Sequence, residues 1–387
     1  MSYDICIAAG AYNKMGGIER YNVELVHALA QEGHRIHLIV TQVGYDTSNV
    51  DEVTWIRIDL FFRPLTTLVR AVKSSILYFK FKREHPNGIF ISDGLPSFFA
   101  DIVIAQSVHR ESVLATNTRE PKTPKGLLRR FLRSIYPMNV ALIVIEWFST
   151  VFGAKMIVAI SQKVKREILK VYRVRAEKIA VVYSAVNSEE FRVDTVTRAS
   201  VRREAGFGEH DFVFLFSGHE FKRKGLRYAV AAFSKLRSTN TRLLVAGKDK
   251  SEVMRQVVKD LRLGDRVSFI GPRNDFPAWC AAADAFVFPT LEDAFGLVIV
   301  EAMASGLPVI TSGPAYAGAA ECLKDGIDAI LLDDPTDVEE MAAEMGRLVK
   351  DERFRASLGA NARKTALGLS WDRTARGIVG AWKSRTK

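Results

Sequence analysis

Two carboxylates, Asp293 and Glu301, have a spacing that suits the binding of one extended ligand. An apolar run ends near Pro289, a loop with an acidic pair follows, and Gly296 precedes a short helical stretch that contains Glu301. The first backbone N–H groups of a helix point out of its N-terminus and favour a phosphate. The alternative is that Glu292, Asp293 and Glu301 only complement the helix dipole. The apolar neighbours of Glu301 argue against a solvated surface charge.

A cationic loop is the second chemical feature. Residues 217–225 follow an apolar run, contain Arg223 and Lys224, and lead into a second helical stretch. Cations beside a helix N-terminus can neutralise a diphosphate. A solvated basic loop on a positively charged protein is the alternative.

Other candidates also follow apolar runs. Gly16 and Gly17 open the first helix, where paired glycines let backbone approach a phosphate closely or form only a turn. Arg273 lies in a Gly-Pro turn, and His109 and Asp93 each follow a run in the first half of the chain. A lone histidine is as easily structural as catalytic.

The elements that would position these residues form two successive βα series. Apolar runs predict strands at 3–9, 36–40, 88–92, 101–105 and 156–160, and then at 212–217, 243–247, 267–270, 285–288 and 309–311. A first helix is predicted with Ile18, Tyr21, Leu25, Val26 and Leu29 on its buried face. We therefore expect two doubly wound parallel α/β domains, 1–190 and 191–365. Ligands bind beyond the carboxyl ends of such strands, so a cleft between the domains is the expected site.

Composition limits the class of protein. The chain has 387 residues, 48% of them hydrophobic and 26% charged, as in ordinary folded proteins. Its three cysteines are far apart, which supports neither a disulfide framework nor a zinc site. The sequence has no Asp-x-Asp triplet, Walker loop or Gly-x-Ser-x-Gly, so a metal-clamped diphosphate is not supported and no metal ligand is predicted.

A formal charge of +11 favours an anionic partner. Residues 61–84 and 119–133 interleave basic and apolar side chains, which is typical of segments at an anionic lipid surface, although a solvated face is equally compatible. Nucleic acid is not expected because no motif that reads it is present. The run 135–154 is the most apolar, but Glu146 near its centre favours a buried core segment over a membrane span.

With these motifs the sequence resembles glycosyltransferase family four, retaining nucleotide-sugar enzymes with the GT-B fold. Asp293 and Glu301 stand at the two positions of that family's carboxylate motif, where the first residue is usually Glu. Lys224 matches the family's lysine, whereas His219 stands where arginine is usual. The amino-acid sequence of the second half is similar to those of bacterial lipopolysaccharide core glucosyltransferases.

The resemblance implies a role for each candidate. Asp293, His109 and Lys224 would be catalytic. The nucleotide-sugar donor, most simply a UDP-sugar, would contact Gly16, Gly17, Arg223, Lys224, Arg273, Phe295, Gly296, Leu297 and Glu301. No further cofactor is implied. Residues 1–190 would bind the acceptor, 191–365 the donor, and 366–387 would form a helix packed back on the first domain.

The implied activity is retaining, metal-independent transfer of a sugar to a saccharide acceptor. The resemblance suggests a lipid-linked acceptor in lipopolysaccharide or other envelope polysaccharide synthesis, with a cytoplasmic enzyme peripheral on the inner face of the membrane. Two alternatives stay open: a nucleotide-sugar epimerase on the same fold, and a catalytically silent GT-B partner, since positions 219 and 293 depart from the family pattern.

Overall fold

Parallel strands alternate with helices through both halves of the chain. The computed structural model describes residues 2–14, 16–56, 63–94, 96–118, 123–192, 195–208, 210–248, 251–273 and 275–386. They fall into two units, Met1–Ser184 with Trp371–Lys387 and Ala185–Ser370. The first unit thus ends at residue 184, where the sequence had placed a boundary at 190.

The first unit is built on a seven-stranded parallel sheet with strand order β5-β3-β1-β6-β7-β8-β9. Its elements are β1 Asp4–Ala9, β2 Ala11–Tyr12, α1 Gly17–Gln31, β3 Arg35–Val40, β4 Gln42–Val43, β5 Glu52–Trp55, α2 Arg63–Glu84, β6 Ile89–Asp93, β7 Ala100–Ala105, α3 His109–Thr118, α4 Pro124–Ser134, α5 Pro137–Phe148, β8 Ala154–Ala159, α6 Gln162–Tyr172 and β9 Ile179–Val181. Residues 5–9 of β1 are all buried, as expected for a parallel strand covered on both faces.

The second unit has a six-stranded parallel sheet with strand order β12-β11-β10-β13-β14-β15. Its elements are α7 Thr195–Glu204, β10 Phe212–Ser217, α8 Leu226–Ser234, β11 Thr241–Ala246, α9 Ser251–Asp260, β12 Val267–Gly271, α10 Phe276–Ala282, β13 Ala285–Phe288, α11 Leu297–Ala304, β14 Val309–Ser312, β15 Ile330–Leu332, α12 Val338–Lys350 and α13 Glu352–Leu367. The expected pair of doubly wound α/β domains is therefore present.

The last helix, α14 Trp371–Thr386, belongs to the first unit. The Trp371 ring meets the Tyr21 ring of α1 edge-on at a centroid distance of 5.0 Å, and Arg376 pairs with Glu32 at 3.2 Å. Tyr21 is fully buried, as are Leu25, Val26 and Leu29 on the same face of α1. Ile18 departs from this predicted face because it is 41% exposed.

Helix α5 corrects the prediction of a buried core segment. Ile145 is buried in it, but Val140, Val144 and Trp147 are exposed. In the described part of the chain, no single helix is long and apolar enough to span a membrane. The segments Leu127–Ser134 and Pro137–Gly153 meet the length and composition required of a span only as a pair, and the chain bends by 52° between them.

Candidate active site

The cationic loop and the carboxylate loop of the second unit lie side by side because they follow adjacent strands. β10 and β13 are parallel neighbours, so their carboxyl ends lie at the same edge of the sheet. The Leu291 N–H donates to the Arg223 carbonyl at 2.9 Å. Gly225 has a φ of +75°, and a Cβ there would collide with the Pro289 carbonyl. Only glycine fits this close approach of the two loops.

Lys224 and Asp293, predicted separately to be catalytic, form one ion pair. The Lys224 ammonium Nζ lies 2.5 Å from Asp293 Oδ2, and Lys224 is only 7% exposed. Burial lowers the pKa of Lys224, and the Asp293 carboxylate opposes that effect. Without this partner a buried ammonium would tend to lose its proton. The pair therefore keeps a positive charge buried, and an anionic ligand could replace Asp293 as the partner of Lys224.

Arg223 is surrounded by acidic groups. Its guanidinium donates to the Glu220 carboxylate at 2.8 Å and to Glu292 Oε2 at 3.2 Å. Burial alone would lower the pKa of Arg223, but Asp293, Glu292 and Glu220 together raise it. The Glu292 carboxylate, which the sequence allowed to be only a complement to the helix dipole, instead pairs with Arg223. Two cations and three carboxylates thus share this loop pair.

Helix α11 begins directly behind the ion pair. Gly296, its N-cap, has a φ of +98°, and a Cβ there would lie 2.8 Å from the Ile299 Cδ1. Phe295 and Glu301 are buried, at 2% and 5% exposure. The Asp293 N–H donates to the Tyr316 carbonyl at 2.7 Å, which fixes the loop before the helix. A Cβ on Gly296 would also lie 3.6 Å from Asp293 Oδ2, so the start of α11 is next to the Lys224–Asp293 pair.

Arg273 and His219 have partners other than Lys224 and Asp293. Arg273 follows the edge strand β12, pairs with Asp275 at 2.7 Å, and stacks on the Trp279 ring at 4.7 Å. His219 is exposed, and its Nδ1 accepts a hydrogen bond from the Lys248 N–H at 3.0 Å. At the position where the family has an arginine, this side chain instead ties two loops together.

In the first unit, His109 and the start of α1 line one cavity of about 230 Å³ at the carboxyl ends of β6 and β7. The Asn139 amide donates to the Arg133 carbonyl, which turns Asn139 Oδ1 toward His109 Nε2 at 3.2 Å. Burial lowers the pKa of His109, although the Asn139 hydrogen bond opposes the shift. The His109 N–H donates to the Glu146 carboxylate at 3.1 Å.

Asp93 is the most perturbed carboxyl group in that cavity. It is 1% exposed, and burial raises its pKa from 3.8 to about 8, although the Gln106 amide donates to Oδ2 at 2.7 Å. Asp93 Oδ1 is buried without a hydrogen-bond partner among the described residues. Glu146 lines the same cavity and accepts from the Tyr172 hydroxyl at 2.5 Å. A protonated Asp93 can donate as well as accept a hydrogen bond.

Comparison with known proteins finds two matching family models, one in each half of the chain. The family described as Glycosyltransferase Family 4 matches residues 15–190, and Glycosyl transferases group 1 matches residues 197–365. The chain is a glycosyltransferase of the family-four type. It is 28% identical over 384 residues to the uncharacterized glycosyltransferase MJ1607 of Methanocaldococcus jannaschii, covering 95% of this chain and 94% of that one.

Two further proteins resemble it along nearly their whole length. Lipopolysaccharide glucosyltransferase WaaG of Escherichia coli is 24% identical, covering 92% of each chain. A crystal structure of WaaG aligns at a TM-score of 0.76 with 20% identity, over 97% of this chain and 98% of that one. Anabaena Alr3699/HepE in complex with UDP-glucose aligns at 0.75 with 18% identity, over 98% and 99%. These likenesses establish the GT-B fold.

Sequence reasoning found the loops of this glycosyltransferase but not their internal partners. Asp93 was noticed only because it follows a strand, and Glu146 was interpreted only as a sign of a core segment. Gln106 and Tyr172 were missed. Two signals could have indicated these partners: Asp93 is a carboxylate at the end of a buried strand, and Glu146 is a carboxylate inside an apolar run. A buried carboxylate needs hydrogen-bond partners.

Proposed function

We propose that this glycosyltransferase moves a hexose from UDP-hexose to a saccharide acceptor with retention of anomeric configuration and without a metal ion. The buried Lys224–Asp293 pair, beside Arg223 and the N-terminus of α11, carries the proposal. The UDP-glucose bound to HepE, a protein of the same fold, supports a UDP-sugar as donor.

The donor diphosphate would enter by ion exchange. Its negative charges would take over Lys224 and Arg223, while backbone N–H groups at Gly296 and Leu297 would bind a phosphate oxygen. Asp293, released from Lys224, would accept a hydrogen bond from a sugar hydroxyl. Glu301 would accept from the donor's ribose, Arg273 would lie beside the base, and Gly16 and Gly17 would let backbone approach the phosphates.

The chemical step then needs charge stabilisation at the leaving group. The bond between the sugar C1 and the phosphate oxygen breaks, and a bond from C1 to the acceptor oxygen forms on the same face. The acceptor's proton passes to the departing phosphate. Lys224 and Arg223 stabilise the negative charge that develops on this diphosphate, which removes the need for a metal ion in that role.

The first domain would bind the acceptor in the cavity that holds His109 and Asp93. Asp93, protonated near neutral pH, offers both a donor and an acceptor to a saccharide hydroxyl. His109, whose pKa burial lowers, would contact the transferred sugar as a neutral imidazole. Both side chains are held by neighbours, Gln106 and Asn139, so their positions are set before a ligand binds.

We further propose a lipid-linked acceptor at an anionic membrane surface, in envelope polysaccharide synthesis. Helix α2 exposes an apolar stripe, and α4 exposes a second group of large apolar side chains: Leu65, Leu68, Val72, Ile76 and Phe79, with Leu127, Leu128, Phe131 and Leu132. Lys73, Arg83 and Arg129 are exposed on the same helices. Residues 61–62 and 119–122 of the predicted basic segments lie outside the described residues.

The deciding assay supplies UDP-glucose with and without a saccharide acceptor, in buffer containing EDTA. We expect release of UDP, slow hydrolysis without acceptor, and a product whose anomeric proton coupling matches the donor's configuration. Isomerised nucleotide sugar would instead indicate an epimerase. Neither turnover nor hydrolysis, with UDP binding intact, would indicate a silent partner. Activity that EDTA abolishes and Mg²⁺ restores would exclude the metal-free step.

A further inference from the structure

Two histidines and an aspartate converge at the amino-terminal edge of the first sheet, far along the strands from the glycosyltransferase cavity. Asp4 opens β1, His37 lies on the neighbouring β3, and His85 directly follows α2. One ligand atom from each lies within 4.8 Å of the others. The side chains are 15–24% exposed, which leaves an ion access from solvent.

The distances fit ligands of one ion better than hydrogen bonds. His37 Nε2 lies 3.5 Å and His85 Nδ1 lies 3.4 Å from the same oxygen, Asp4 Oδ1. Good N–H···O bonds are about 2.7–3.2 Å long. Donors placed about 2.0–2.1 Å from a tetrahedral zinc ion are about 3.3–3.4 Å from each other. The two distances to Asp4 Oδ1 are thus nearly those that a shared ion would impose, and all three ligand atoms lie within 4.8 Å of one another.

Neighbouring groups supply the outer interactions that such a site needs. His37 Nδ1 lies 3.2 Å from Glu52 Oε2, its partner across the β3–β5 pair. A ligating histidine usually donates its other N–H to a carboxylate in this way, which fixes the tautomer and the ring orientation. Arg35 Nη2 contacts both oxygens of the Asp4 carboxylate, Oδ1 at 2.8 Å and Oδ2 at 2.9 Å. Its side chain is 66% exposed, so it can turn away from Oδ1 and keep Oδ2 when an ion takes Oδ1.

We propose that Asp4, His37 and His85 bind a divalent transition-metal ion of the zinc type, with a solvent molecule as the fourth ligand. Two imidazoles and one carboxylate suit zinc rather than magnesium or calcium, which prefer oxygen ligands. The ion joins β1, β3 and the end of α2. Because it lies at the opposite edge of the sheet from His109 and Asp93, it is structural and takes no part in sugar transfer.

The test measures zinc uptake by the untagged full-length chain after dialysis against EDTA and then chelator-free buffer. ZnCl₂ is titrated against a chromophoric chelator of known affinity. We expect one equivalent bound by the wild-type chain and by His210→Ala, an exposed histidine in the second unit. The equivalent should be lost in the His37→Ala/His85→Ala double variant. Equal uptake by the double variant, or no uptake by the wild type, overturns the proposal.

A milder variant keeps the proposal testable if the double variant folds poorly. Glu52 is 63% exposed, so Glu52→Ala should leave the fold intact. Removing this outer partner should weaken zinc binding about 10- to 100-fold, and Co²⁺ bound to the wild type should give a visible absorption band that shifts in the variant. Unchanged affinity and spectrum in Glu52→Ala would contradict the arrangement. Neither result depends on glycosyl transfer.

Discussion

At the scale of single residues, the site depends on ionisable groups that the fold has removed from water. Lys224 stays charged because Asp293 is 2.5 Å away. Asp93 has no such cation among the described residues and stays protonated near neutral pH, because burial raises its pKa to about 8. The same physical cost, desolvation of a charge, therefore yields a buried cation in one domain and a neutral carboxyl group in the other.

The raised pKa of Asp93 predicts a dependence of stability on pH. An unfolded aspartate releases its proton near 3.8, whereas folded Asp93 keeps it until about 8. The folded state therefore binds more protons between these values, and its stability falls as pH rises through that window. Asp93→Asn cannot lose a proton. We expect the variant to gain stability relative to the wild type as pH rises from about 5 to about 8.

Urea midpoints measured across that pH range test this expectation. Asp260→Asn, on an exposed residue of the second domain, is the matched control. Its urea midpoint should change with pH in the same way as that of the wild type. A constant difference between Asp93→Asn and the wild type would mean that Asp93 is ionised throughout. Because Asp93 also faces the proposed acceptor, the apparent KM for acceptor should rise in the variant.

At the scale of elements, sequence periodicity predicted most strands but not the contacts between loops. Long apolar runs such as 212–217 and 285–288 agree with β10 and β13 because buried parallel strands are continuously hydrophobic. β5 was missed because its four residues are half polar, and β15 because it has only three. That Glu292 pairs with Arg223 depends on which strands are adjacent, and local sequence does not contain that information.

Alanine substitutions at Gly296 and Gly17, which both lie at helix N-termini, should have opposite effects on stability. Gly296→Ala must adopt a φ near +98° and meet Ile299, so we expect about 1–3 kcal/mol of destabilisation. At Gly17 a Cβ would meet no atom of the described residues within 4 Å. Gly17→Ala should therefore leave stability unchanged or raise it by up to about 1 kcal/mol, since alanine is the better helix former.

Chemical unfolding and donor KM, measured on both variants, separate structure from binding. If the backbone at Gly17 approaches the donor phosphate, Gly17→Ala should raise the donor KM although its stability is intact. A normal KM in a stable Gly17→Ala would remove that residue from the donor site. Equal stability of Gly296→Ala and the wild type would contradict the left-handed conformation at the start of α11.

At the scale of the whole molecule, the excess positive charge is accompanied by exposed apolar helices in the first unit. The net charge is +11, and Ile76 and Phe131 are each 61% exposed on α2 and α4. Cations attract an anionic bilayer over about 8 Å at physiological salt, and apolar side chains then insert at the headgroup level. We therefore propose that this face of the first domain binds an anionic membrane surface.

Vesicle flotation tests this placement. We expect the chain to float with phosphatidylglycerol vesicles but not with phosphatidylcholine vesicles, and less at high salt. Ile76→Ser/Phe131→Ser should lower the partition at least about 10-fold, because each buried side chain contributes about 1.5–3 kcal/mol. Val253→Ser, 67% exposed in the second unit, should bind like the wild type. Equal binding by the double variant would show that this surface is only solvated.

The most direct test of the central claim compares two neighbouring lysines by the rate of UDP-glucose turnover in EDTA. Lys224→Met removes the buried cation assigned to the departing diphosphate, whereas Lys222→Met removes an exposed charge from the same loop. We predict that kcat/KM for the donor falls about 100-fold or more in Lys224→Met and less than about threefold in Lys222→Met. Similar losses in both variants, or near-normal turnover by a folded Lys224→Met, would contradict the account.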